Sequence, residues 1–195
     1  MNKTRTEVIL PELRSERVHE ISGVSASAFA FLMARKSAIL LCGSPRMLAA
    51  YHAEAVAQYC DPETMLHVPC PLEVDSLWTA ETALQSGCMA TVIACLEKSP
   101  SLTNFRRLQL AAKTGSSLGL VIVSRPAHST AAETRWHCTP VPTSQWGEVR
   151  IHASLYKNKR GVIGSWVLNV FGETNNLCLD ATLAGEPICP QRVAS

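Results

Sequence analysis

Charge is scarce in this chain of 195 residues: Lys, Arg, Asp and Glu make up 17% of it, whereas 47% is hydrophobic. Globular domains usually carry about a quarter of charged residues, so we expect a partner to cover part of the apolar surface. Nowhere do about 18 apolar residues run together, which argues against a membrane-spanning helix. The N-terminus also lacks the apolar stretch of a signal peptide. These absences predict a cytoplasmic protein without membrane contact.

Motifs for metal binding and catalysis are missing as well. The eight cysteines form no CxxC pair and the six histidines show no repeated spacing, so we expect reduced core thiols, no metal site and no cofactor. GxSxG, HExxH and DxD-type clusters do not occur. The sequence therefore predicts no catalytic residue and favours a protein that acts through interactions.

What is present is an alternation of short apolar strands with helical patterns. Strand patterns such as "SAILLCG", "TVIACLE" and "LGLVIVSRP" are separated by amphipathic segments, which is typical of a parallel sheet with helices on both faces. After Pro126 the period changes to two, which predicts a C-terminal antiparallel hairpin. We therefore expect a doubly wound, mostly parallel α/β domain over residues 1–171 and a tail over 172–195, for which the sequence leaves both an ordered and a flexible state open.

The helical patterns also predict which side chains face the sheet. The segment 44–60 reads as one helix that begins near Pro45. Two further helices should each turn an apolar stripe inward; the stripes contain Val74, Leu77, Trp78, Ala80 and Leu84 in one, and Leu102, Phe105, Leu108 and Leu110 in the other.

The stretch "VHEISGVSASAFAFLM" has the layout of a phosphate-binding loop, strand then glycine then helix. A working loop reads GxxxxGK[ST], in which glycine lets amides wrap the phosphates, lysine reaches their charge and the hydroxyl binds magnesium. Counted from Gly23, those three positions hold Ala28, Phe29 and Ala30. The sequence therefore predicts a relic loop, no bound nucleotide and no ATP hydrolysis.

Charges are distributed unevenly along the chain. Seven acids and no cation lie between Met47 and Glu97, and five cations and no acid lie between Lys98 and Ala132. A basic surface that binds a partner or nucleic acid is one interpretation, and two solvated faces are the other. The candidate contact residues are Arg106, Arg107, Lys113, Lys157, Lys159 and Arg160.

Several segments resemble a known family. "RVHEISG", "ALQSG", "FRRLQLAAKTG" and "ETRWH" are similar to ImuA, a RecA-like accessory protein of bacterial error-prone translesion synthesis, over roughly residues 10–170. The second half, from "VDSLWTAETALQSG" to "EVRIHASLY", is also similar to SulA, an inhibitor of cell division.

The ImuA resemblance implies a RecA-type core and a DNA-damage-induced role. It further implies three partners: an inactive Y-family polymerase-like protein, a DnaE-type error-prone polymerase and RecA. Direct DNA binding is left open, because the chain is too short for the extra domains and full set of DNA loops of RecA. Two alternatives stay open too, a SulA-like inhibitor that binds FtsZ and a RecA-like protein with residual nucleotide binding.

Overall fold

A computed structural model describes residues 12–34, 38–57, 59–144, 148–171 and 178–185, with backbone alone from residue 170 onward. Within these ranges the chain forms one β-sheet of parallel and antiparallel strands, flanked by helices. The strands are β1 Val18–Ser22, β2 Ile39–Gly43, β3 Met65–Pro69, β4 Thr91–Lys98, β5 Leu118–Arg125, β6 Thr134–Pro140, β7 Val149–Asn158, β8 Gly164–Phe171 and β9 Cys178–Gly185. The helices are α1 Ala26–Met33, α2 Pro45–Leu48, α3 Ala53–Val56, α4 Glu73–Ser86 and α5 Leu102–Thr114, with a 3₁₀ turn at Pro62–Thr64.

The described strands form a nine-stranded sheet in the order β3-β2-β4-β5-β1-β6-β7-β8-β9. The first six in this order pair in parallel, and β7, β8 and β9 continue the sheet antiparallel. The α/β class of the prediction is confirmed, and the sheet is a mixed one of parallel and antiparallel strands. The antiparallel part is larger than the predicted hairpin, because residues 178–185 of the expected tail add β9; residues 172–177 and 186–195 lie outside the described residues.

Two hydrophobic cores lie on the two faces of this sheet. Leu41 and Ile93 pack in the core that contains the buried side chains of α1, whereas their strand neighbours Leu40 and Val92 pack against α4 and α5. Successive residues of a strand point to opposite faces, so strands covered on both sides must be apolar at every position. None of the helices in the described residues is long and apolar enough to cross a bilayer.

The single helix predicted over residues 44–60 is wrong: the described residues there form the two short helices α2 and α3. Ser44 caps α2 by accepting a hydrogen bond from the Met47 amide at 3.3 Å. The chain then turns at Ala49 and Ala50, and Tyr51 and His52 lie between the two helices. This turn sends the Tyr51 side chain back to the sheet, a tertiary contact that helical periodicity does not reveal.

The predicted apolar stripes of α4 and α5 are wrong in part. Val74 and Trp78 on α4 are 63% and 65% exposed, and Leu102 and Leu110 on α5 are 50% and 67% exposed. The residues that α4 buries are Ser76, Ala80, Ala83 and Leu84, and those that α5 buries are Phe105, Leu108, Ala111 and Ala112. Three of the four side chains that α4 buries are small, which lets this helix lie close to the sheet while Val74 and Trp78 remain outside.

A loop, and not a helix, covers β6 on one face. Residues 126–133 connect β5 to β6, and the Arg135 guanidinium donates hydrogen bonds to the carbonyl oxygens of Ala127 and His128 in this loop. Arg135 also pairs with Glu20 on the neighbouring strand β1 at 2.7 Å, and both side chains are buried. A buried ion pair therefore anchors the loop to the sheet.

Candidate functional site

The predicted phosphate loop lies at the carboxyl end of β1, at the edge of the sheet where open α/β folds bind ligands. Gly23 follows β1 with φ of 96°, a left-handed conformation that favours glycine. A Cβ at this position would also overlap the backbone carbonyl oxygen of Cys138 on β6. Glycine is thus required here for a close approach between two backbone segments, and not for access to a phosphate.

Backbone amides of the loop donate to the protein itself. The Ser25 amide donates to the Cys138 carbonyl at 3.1 Å and the Ala26 amide to the Gly23 carbonyl at 3.1 Å. The Phe29 amide makes the first hydrogen bond within α1, to the Ser25 carbonyl at 3.0 Å. A phosphate loop binds its anion because such amides at a helix N-terminus are free. The Cys138 carbonyl therefore takes a place that an anion would need.

The three residues at the motif positions, Ala28, Phe29 and Ala30, all have apolar side chains. Phe29 and Ala30 are fully buried, and the Phe29 ring lies 5.0 Å from the Trp136 ring between their centroids. Ala28 is half-buried beside this core. Phe29 thus occupies the core beneath the loop, so the lysine position of the motif points away from any phosphate.

Tyr51 spans the space between the loop and the carboxyl end of β4. Its hydroxyl is hydrogen-bonded to the Ser27 hydroxyl at 2.8 Å and to the Cys95 thiol at 3.3 Å. Burial raises the pKa of Tyr51, and burial raises the pKa of Cys95 to about 11. Both groups are therefore neutral at physiological pH, and Cys95 is a poor nucleophile because the reactive form of cysteine is the thiolate.

An apolar cleft of about 640 Å³ opens beside the loop. Aromatic and aliphatic side chains form its walls, among them Phe31, Met47, Tyr51, Val56 and Tyr59. No charged side chain of the described residues lines it, so the cleft suits an apolar group and not a triphosphate. Metal ligands are also lacking: within the described ranges, no three His, Cys, Asp or Glu side chains are placed to hold a metal ion.

Four of the six predicted contact residues bind other parts of this chain. Arg107 pairs with Glu81 on α4 at 2.7 Å. Lys157 and Lys159 donate to the carbonyl oxygens of Thr130 and Ala131 at 2.8 and 2.7 Å, and Arg160 lies 3.7 Å from Glu133. The end of β7 and the turn after it are thus fastened to the loop 126–133, and their charges are partly neutralised there.

Arg106 and Lys113 differ from these four residues. Both are exposed on α5, and neither has a hydrogen bond or ion pair with another side chain in the part of the chain that the structure describes. They are the predicted contact residues that remain available to a partner.

His19 lies near the start of β1, at the end of the sheet opposite the relic loop, and belongs to a chain of hydrogen bonds. Its Nε2 lies 3.1 Å from the Arg14 carbonyl oxygen, which can only accept, so Nε2 carries the proton. Its Nδ1 then accepts from the Thr134 hydroxyl at 2.7 Å, and Thr134 accepts from the Trp136 indole at 2.9 Å. Burial lowers the pKa of His19 to about 4, so the neutral imidazole is the form that fits.

Lowering the pH from about 6.5 to about 4 is expected to destabilise the fold through His19. In this window the unfolded chain binds the proton and the folded chain does not, so stability is complete above 6.5 and is lost as pH falls through 4. The shift corresponds to about 3 kcal/mol. Urea unfolding of the wild type and of His19→Gln across this range measures the effect.

The comparison between these two proteins isolates His19 from other titrating groups, such as His137, whose pKa is also lowered by burial. The Gln variant keeps a donor and an acceptor but does not titrate, so its stability should depend less on pH. Parallel pH curves for the two proteins would contradict the assignment.

Comparison with known proteins identifies no family for this chain. No family model matches it, and no curated protein sequence matches it. Among solved structures, it is similar to SulA from Pseudomonas aeruginosa with a TM-score of 0.45 and 18% identity, over 55% of this chain and 97% of that chain. A likeness this weak carries no argument about function.

The sequence pattern does not single out two residues that the structure makes prominent, Tyr51 beside the loop and Glu133 at the opposite end of the sheet. Tyr51 falls within the single helix predicted over residues 44–60, and Glu133 is buried within 4.0 Å of Arg17, Lys159 and Arg160. An acid that directly precedes a strand is the available signal for Glu133. Nothing in the local pattern signals the turn that directs Tyr51 into the cleft.

Proposed function

We propose that this protein is a non-enzymatic accessory protein of DNA-damage-induced, error-prone DNA synthesis, similar in role to ImuA. The observation that carries the non-enzymatic part is the closure of the phosphate loop, where the Cys138 carbonyl accepts the Ser25 amide and Phe29 packs on Trp136. The resemblance of the sequence to ImuA supports the part that concerns DNA synthesis.

The arrangement of the sheet supports a RecA-like interpretation of the core. The strand of the relic motif, β1, is the central strand of the nine-stranded sheet, with β5 on one side and β6 on the other, and it pairs in parallel with both. Helix α1 packs on one face of the parallel strands, and α4 and α5 pack on the other. In this proposal the chain keeps the shape of a nucleotide-binding domain as a platform for protein contacts.

The proposed partners are an inactive Y-family polymerase-like protein, a DnaE-type error-prone polymerase and RecA, met in the cytoplasm. The exposed apolar side chains and the low charged fraction of the chain are consistent with a surface that a protein covers. In this proposal the DnaE-type polymerase carries out the synthesis. The thiols Cys95 and Cys138 of this chain are not suited to act as nucleophiles, because burial raises the pKa of each.

Co-purification of the tagged full chain from damaged cells tests this function. We expect the two polymerase proteins to be recovered with it, and deletion of its gene to lower the frequency of damage-induced mutations. Titration with ATP at millimolar concentration in a calorimeter should give no binding heat.

Other outcomes would contradict the proposal. Filamentous cells on overexpression, with no change in mutation frequency, would favour the SulA-like alternative that binds FtsZ. Saturable binding of ATP would favour residual nucleotide binding, and the variant Phe29→Leu, which keeps the core apolar, is the matched control for that measurement.

A further inference from the structure

Apolar side chains are concentrated on one outer face of the molecule. Ten large hydrophobic side chains of the described residues are exposed, and five of these lie on or next to the two neighbouring helices α4 and α5. We call this surface the α4–α5 face, and its apolar members are Leu72, Val74, Trp78, Leu102 and Leu110. Exposed apolar patches of this kind mark interaction sites, and tryptophan is enriched at the centre of such interfaces.

Charges of opposite sign are separated across the same face. Glu73 and Asp75 are exposed on α4, whereas Arg106 and Lys113 are exposed on α5. Within the described residues none of these four has an ion pair. Arg107 and Glu81, by contrast, pair with each other between the two helices. The face thus carries one acidic apolar strip and one basic apolar strip, side by side.

The two strips run in the same direction. Each helix leads back from the end of one parallel strand to the start of the next, so α4 and α5 are parallel to each other. A shallow groove between them places Val74, Trp78 and Glu81 beside Asn104 and Arg107. Asp75 and Arg106 therefore lie at similar heights along the two helices.

We infer that the α4–α5 face binds a second copy of this chain. A two-fold axis parallel to the helices lays α4 of each copy on α5 of the other, because that rotation exchanges the two strips. Asp75 of each copy then faces Arg106 of its partner, and Trp78 of each copy is covered by the leucines on α5 of the other. The α4–α5 face of one copy thus contacts the same face of the other, and the acidic strip of each copy lies against the basic strip of its partner.

A second copy fits this face better than nucleic acid does. The acids Glu73 and Asp75 would repel phosphates, and exposed leucines add nothing to a phosphate contact. Charge complementarity from both sides is available when the occupant is the same chain. The inference does not depend on the proposed role in DNA synthesis, since self-association is measured on this chain alone.

Molar mass of the full chain, measured by sedimentation equilibrium against protein concentration, tests the inference. We expect the wild type to dimerise, and Asp75→Arg and Arg106→Glu each to weaken dimerisation by at least about tenfold, because like charges then meet across the interface. Combining the two substitutions restores opposite charges and should restore the dimer. Trp78→Ser should give a monomer with the thermal unfolding of a folded protein.

Lys98→Glu is the matched control, since it makes the same change of charge at an exposed site at the end of β4; it should leave the dimer intact. The inference is wrong if the wild type stays monomeric at about 100 µM. It is equally wrong if Arg106→Glu dimerises like the wild type, or if the combined variant fails to regain the dimer while both single variants are folded monomers.

Discussion

Phe29→Lys, which restores the lysine of the phosphate-loop motif, is expected to lower the free energy of unfolding by about 3 kcal/mol or more and to create no ATP binding. Phe29 is fully buried against Trp136. Removing a buried aromatic ring costs about 3–5 kcal/mol, and an ammonium group without a partner in that place adds a desolvation cost. Urea unfolding followed by circular dichroism measures the loss, and calorimetry with ATP measures binding.

Phe29→Leu is the control for this prediction. Leucine keeps an apolar side chain in the core and should cost less than the lysine variant. A stable, ATP-binding Phe29→Lys protein would show that the loop retains a working geometry, and would overturn both the closure of the site and the non-enzymatic proposal.

Arg135→Met is expected to lower the free energy of unfolding by about 3–5 kcal/mol, because it leaves the Glu20 carboxylate buried without its partner. The substitution also removes the hydrogen bonds to Ala127 and His128 that hold the loop 126–133 on β6. Burial already raises the pKa of Glu20, and the Arg135 charge opposes that shift. Without the arginine, Glu20 should take up a proton at higher pH.

A second arginine on the same sheet serves as the control. Arg125 pairs with Glu97 between β5 and β4, but both side chains are more than half exposed. Because exposed ion pairs contribute about 0–1 kcal/mol, Arg125→Met should change stability little. If the two methionine variants lost similar stability, the buried pair would not anchor the loop. The double variant Glu20→Leu with Arg135→Met should be more stable than Arg135→Met alone, since it removes the unpaired charge.

The chemistry missing from the loop could be predicted from the chain, but the way in which the loop is closed could not. Counting from Gly23 identifies Ala28, Phe29 and Ala30, and that needs no structure. The Cys138 carbonyl that accepts the Ser25 amide lies more than a hundred residues away. The pairing of β1 with β6 brings them together, and that pairing has no local signal.

The exposure of side chains on α4 and α5 was likewise predictable from the sequence only in part. The periodicity of α4 and α5 predicts two amphipathic helices but not the rotation of each helix about its axis. Rotation depends on which side chains approach the sheet most closely, and here alanine and serine on α4 do so while Trp78 stays outside. The same holds for the cations near the end of β7. The sequence shows Lys157, Lys159 and Arg160 as a basic cluster, but only the structure shows that they bind the loop 126–133 of this chain.

By itself the sequence determined a mixed α/β domain of apolar strands and amphipathic helices with an antiparallel extension, and a phosphate loop without lysine or magnesium ligand. These follow from residue types at short spacing, which act through local backbone geometry. Only the tertiary structure decided that the loop is closed by Cys138, that Tyr51 fills the space towards β4, and that Arg106 and Lys113 are the free cations on α5. Each of these depends on which distant segments pack together, and burial there gives a side chain its partner or leaves it exposed.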